Sequence, residues 1–148
     1  MRPFLLTLAL IVSGLNFASA QKFGYVDTDF ILGKMPEYKK AQDEIDRLSV
    51  AWQKEIEGMQ TEIEGMYNAF EAEQVLLTEE MRQERKAGIE KKEAELKEYQ
   101  RKVFGVGGLF FLKKQELIKP LQDKVFEAVE KVAKSNRLAI IFDKAGEL

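Results

Sequence analysis

The sequence has no cysteine and no histidine. Without thiols there is no disulfide, no thiol catalysis and no lipid attachment through an N-terminal cysteine. Without imidazole there is no histidine-dependent triad. Three prolines against 32% charged residues suit a helical, elongated molecule better than a large globule with a deep core. A strong excess of one charge sign is also missing. The formal charge of −2 becomes −3 once a segment containing Arg2 is removed, which argues against a nucleic-acid binder held by a basic surface. No apolar run is long: Phe4 to Val12 falls well short of the ~20 residues that span a bilayer. That run follows Arg2 and precedes Gly14 and the small-x-small site Ala18-Ser19-Ala20. Residues 1–20 therefore read as a secretory signal peptide cleaved after Ala20. The mature chain is expected to be exported, with membrane association peripheral at most.

What is present is a helical pattern that runs out and comes back between Glu37 and about Gln115. Ile45, Leu48, Trp52, Ile56, Met59, Ile63, Met66 and Phe70 recur at threes and fours, the seam of a helix lying against a partner helix. After a break near Leu76 to Glu79 the spacing resumes with Met81, Arg85, Ile89, Lys92, Leu96, Tyr99 and Val103. A turn at Leu77 and Thr78 sets residue i roughly opposite residue 155 minus i. Charge supports the fold-back: Glu55 to Glu80 holds eight acidic residues and no basic one, whereas Met81 to Lys102 holds eight basic and five acidic. Arms of about forty residues would reach roughly 60 Å at 1.5 Å per residue.

Glycines interrupt the pattern in two ways. Gly58, Gly65 and Gly88 lie inside the arms, each costing ~1 kcal/mol relative to alanine, so the arms are expected to bend or breathe. Gly105-Val106-Gly107-Gly108 is expected to break the return helix. Leu109 to Leu112 follows; four large apolar residues in a row cannot all face one partner helix. From Lys113 a helix restarts with Leu117, Leu121, Val125, Ala128, Val129 and Val132 on one face, Pro120 being a kink or a second start.

Short strands bracket the hairpin. Lys22 to Asp27 alternates Phe23 and Tyr25 on one side, and Leu138 to Phe142, closed by Asp143, reads as a largely buried strand. Asp29 and Thr28 can cap a short helical turn through Leu32, and Pro36 starts the long helix. Asp27 with Asp29 could instead suggest an oxygen-ligand metal site, but the glycine and terminal glutamate of a calcium loop are missing. Because a hairpin returns the chain to where it left, the two strands can share one small sheet. Two strands are too few for independent stability, so Phe23, Tyr25, Val26, Leu138, Ile140 and Phe142 are expected to form an oligomer body.

With those residues in place, the chain resembles the Skp/OmpH family of periplasmic chaperones for outer-membrane proteins. The resemblance is carried by Lys22-Phe23-Gly24-Tyr25-Val26-Asp27, by Met35-Pro36-Glu37-Tyr38, by Gln115 to Val125 and by Leu138 to Asp143. It implies a mainly α fold: a long antiparallel helical hairpin projecting from a short-stranded trimerisation base. On that division residues 1–20 are the signal peptide, 21–36 and 116–148 the body, and 37–115 the arm. The resemblance also implies that a C-terminal strand and helix usual in the family are missing after Leu148.

The function it implies is an ATP-independent periplasmic holdase, a homotrimer that keeps unfolded outer-membrane β-barrel proteins from aggregating. No cofactor, metal or catalytic residue is expected. Met59, Met66, Phe70, Met81, Phe110 and Phe111 are the client-contact candidates. Methionine is adaptable enough for a binding surface, but at helical spacing it is more often simply core. A structural adaptor using a coiled-coil hairpin is the alternative, and it should keep a regular seam without glycine. An enzyme would have to rest on carboxylates such as Asp27 and Asp29. The arm region 37–104 has seventeen acidic and twelve basic residues, so binding of acidic barrels is expected to be apolar and insensitive to salt or favoured by it.

Overall fold

In a computed structural model of the chain, residues 21–145 are described. The expected signal peptide lies outside them. The order is β1 (Lys22–Val26), α1 (Thr28–Lys34), α2 (Pro36–Glu73), α3 (Glu79–Phe104), α4 (Leu109–Asn136) and β2 (Leu138–Asp143). Two compact units result: residues 31–124 form one, and 21–30 with 125–145 form the other.

The first unit contains the hairpin. Pro36 opens α2 at its first turn, where the missing N–H is no loss. The helix runs for 38 residues, about 57 Å. Thr78 stops the connecting turn by accepting from the Met81 N–H at 3.3 Å, which caps α3. All eight seam residues of α2 are buried or half-buried, with Ile45 and Ile63 the most enclosed. On α3, Ile89 and Val103 are buried and Lys92, Leu96 and Tyr99 half-buried, but Met81 and Arg85 are exposed. The seam therefore opens toward the tip. Gly58, Gly65 and Gly88 do not interrupt either helix.

The return arm is shorter than the spacing suggests. α3 ends at Phe104 after 26 residues, and α4 begins at Leu109, not Lys113. The joint requires glycine at three places. A Cβ at Gly105 would meet the Arg101 carbonyl oxygen at 2.3 Å, and one at Gly108 the Val103 carbonyl oxygen at 2.6 Å. Gly107 has φ +70°, the left-handed region that glycine occupies freely. Pro120 is not a second start, since α4 runs through it. The carbonyl that Pro120 leaves without a helical donor belongs to exposed Glu116, which is open to solvent.

In the second unit β1 and β2 pair in parallel, Phe23 with Ile140, Gly24 with Ile141, Tyr25 with Phe142 and Val26 with Asp143. A parallel pair needs a long crossover, here the whole hairpin excursion in sequence. Gly24 lets the strands close, because a Cβ there would stand 2.9 Å from Leu138 Cδ1. Asp27, not Asp29 or Thr28, caps α1: its Oδ1 accepts the Phe30 N–H at 2.8 Å. The expectation that β2 is largely buried is corrected. Only Leu138 and Ile141 are half-buried, and the rest of the strand is exposed. A register shift between Lys22 and Phe23 puts Leu138 with Ile141 on the Gly24 side and leaves Ile140 and Phe142 beside Phe23 and Tyr25.

Candidate interaction surfaces

Complementary residues tie the hairpin across its seam. Lys92 Nζ lies 2.9 Å from Glu62 Oε1. The Tyr67 hydroxyl donates to Glu93 at 2.9 Å, and the Tyr99 hydroxyl donates to Glu55. Trp52 meets Phe104 edge-on at 6.3 Å, and Lys86 stands 5.8 Å over the Phe70 ring. Arg85 reaches Glu73 at 3.5 Å. In each of these pairs the two residue numbers total between 154 and 160, as an antiparallel fold-back about Leu77 to Glu80 requires. The acidic arm does meet the basic arm, though through two ion pairs rather than a continuous ladder. Both are exposed, and such pairs contribute only ~0.2–1 kcal/mol each. Their effect is register and partner choice.

The links set the protonation chemistry of the arm. The hydrogen bond to Glu55 pushes the Tyr99 hydroxyl up to about 12. The hydrogen bond to Glu93 likewise raises Tyr67, and the one to Glu62 raises Lys92. All three stay in one protonation state through neutral pH. Among the described residues no group of acidic side chains could hold a metal ion. No described helix is long and apolar enough to cross a membrane.

The six client-contact candidates do not form one patch. Met59, Met66 and Phe70 are half-buried in the α2 seam, and Gly88 sits near Met66, a Cβ there falling 3.8 Å from its methyl. Phe110 is half-buried with its ring 5.8 Å from Phe104. Met81 near the tip and Phe111 after the glycine joint are exposed. Sequence reasoning passed over Val50, Phe104 and Val106, which are also exposed in this unit. Val106 could have been found, since a valine between glycines has no seam position.

The six body candidates divide by face. Phe23, Tyr25, Ile140 and Phe142 share one face of the sheet and are between 47% and 65% exposed. Phe142 packs against Tyr25 at 5.6 Å and Phe23 at 6.5 Å, so the four form a continuous apolar strip. Val26 and Leu138 are half-buried on the other side, where Leu138 and Ile141 line a shallow depression with Val129 and Ala133 of α4. The end of the sheet is clasped by Asp143, whose carboxylate accepts from the Thr28 hydroxyl at 2.6 Å, the Thr28 N–H at 3.1 Å and the Ala145 N–H at 3.0 Å. Those bonds, the Thr28 hydroxyl foremost, hold its carboxyl below the usual aspartate range.

Fold and surface define a helical-hairpin protein with a small parallel sheet, built for contact. Residues 22–148 match the OmpH family, described as outer membrane protein (OmpH-like), and the chain belongs to that family. No curated protein matches it. Membership is consistent with a chaperone of outer-membrane proteins and with a periplasmic location.

Proposed function

We propose that the protein is an ATP-independent periplasmic holdase that binds unfolded outer-membrane β-barrels and assembles as a homotrimer. Family membership over 22–148 is the observation that carries this reading. The exposed strip of Phe23, Tyr25, Ile140 and Phe142 supports assembly, because four large apolar side chains left in water favour burial against other copies. Exposed Val50, Phe104 and Phe111 on the hairpin unit supply apolar contact for a client without a defined pocket. The adaptor reading expects a seam without glycine, whereas Gly58, Gly65 and Gly88 lie inside α2 and α3.

The test is suppression of aggregation of a urea-unfolded outer-membrane β-barrel, run beside a light-scattering mass. A trimer that keeps the barrel soluble, at a level unchanged or improved by added salt, is expected. Salt shortens the Debye length from ~10 Å at 0.1 M to ~3 Å at 1 M, so it removes repulsion between an acidic arm and an acidic client. A trimer without suppression leaves the adaptor; a stable monomer without suppression removes both.

A further inference from the structure

The hairpin tip has apolar side chains where a turn needs none. The turn between α2 and α3 is closed by polar contacts: the Leu76 N–H donates to the Glu73 carbonyl at 2.8 Å, and Arg82 Nε to the Gln74 carbonyl at 2.9 Å. The side chains of Val75 and Leu76 stand 79% and 83% exposed. Turns are ordinarily built from Gly, Pro, Asn, Asp and Ser, each with a local backbone reason that valine and leucine lack. Their exposure serves no packing within this unit.

Charge at the tip selects what could cover them. The three basic side chains nearby are engaged, Arg82 with Glu79, Arg85 with Glu73 and Lys86 over Phe70. The carboxylates of Glu71, Glu80 and Glu84 have neither a hydrogen bond nor an ion pair. An anionic lipid surface would meet these carboxylates with repulsion, because attraction to such a surface depends on available Lys and Arg. A protein segment with Lys or Arg flanking an apolar face is complementary on both counts.

We propose that the hairpin tip is a docking site for a basic amphipathic protein segment: Val75 and Leu76 enter its apolar face, and Glu71, Glu80 and Glu84 meet its cationic rim. This contact is separate from holding an unfolded barrel, so either can fail without the other.

The probe is a fluorescent amphipathic peptide of leucine and lysine, titrated against the full chain, with a leucine and glutamate peptide as control. Val75→Ser/Leu76→Ser should weaken binding of the lysine peptide by about tenfold or more. Glu71→Gln/Glu80→Gln/Glu84→Gln should weaken it several-fold and flatten its salt dependence. The control peptide should not distinguish wild type from Val75→Ser/Leu76→Ser. All five positions are exposed, so both variants should melt like wild type by circular dichroism, and Leu76→Ala alone serves if one does not. Equal binding of the lysine peptide by wild type and the serine variant overturns the proposal, as does no binding by wild type. Uptake of wild type but not the serine variant by phosphatidylglycerol vesicles would make the tip a membrane contact instead.

Discussion

In the hairpin, every apolar seam residue of α2 is buried or half-buried within its own chain, whereas in the sheet Phe23, Tyr25, Ile140 and Phe142 stay largely in water. The difference follows from the number of surfaces each element can offer itself. Two antiparallel helices present a seam to each other and close it. A two-stranded sheet has two faces and only one helix, α4, to cover them, so one face is left over. The α2 seam is thus closed within its own chain, whereas one face of the sheet keeps an uncovered apolar strip.

The sharpest way to break this contrast is to damage each region and ask what is lost. Ile89→Ala removes a side chain that is 3% exposed between the arms and should cost ~2–5 kcal/mol in urea unfolding. Phe142→Ser should cost that unfolding transition less than Ile89→Ala but lower the light-scattering mass, because Phe142 is still 47% exposed in one chain. If Phe142→Ser unfolds the isolated chain as strongly as Ile89→Ala, the strip is already buried and the contrast fails.

A smaller effect sharpens the hairpin side. Nothing lies within 4 Å of a Cβ placed on Gly58 or Gly65, and both are in the interior of α2. Gly58→Ala and Gly65→Ala should each stabilise by ~1 kcal/mol in thermal unfolding. Gly105→Ala should do the opposite, since its Cβ has the Arg101 carbonyl oxygen in its place. Loss of stability in the α2 variants would mean that these glycines face a partner that needs the space.

The smallest expected effect is a pH response at the end of the sheet. The Asp143 carboxyl is depressed by its bonds to Thr28 and Ala145, so the stability it supplies is present above the ordinary aspartate value of 3.8 and is lost as pH falls through the lower folded value. The Thr28 and Ala145 amide resonances should titrate with a midpoint below 3.8. Asp143→Asn should abolish that titration. A midpoint at or above the ordinary value would mean that the clasp is open in solution.

Periodicity alone determined the hairpin, because a helix seam is a local pattern and the charge reversal from Glu80 to Met81 identifies which stretch returns along which. The cross-arm pairs from Trp52 with Phe104 to Phe70 with Lys86 lie where the spacing sets them. The glycine joint was legible too, since each of its glycines answers to a backbone constraint, but its effect on α4 was not: Leu109 and Phe110 start the helix because Gly108 has no Cβ to strike the Val103 carbonyl. Tertiary structure decided the rest. The run Leu138 to Phe142 is apolar throughout, so it says that a strand forms but not which faces are covered. Only the parallel register, with Phe23 against Ile140 and Tyr25 against Phe142, puts four large side chains on one open face. The same holds at the tip, where the sequence marks a break near Leu76 but only the turn shows Val75 and Leu76 in water.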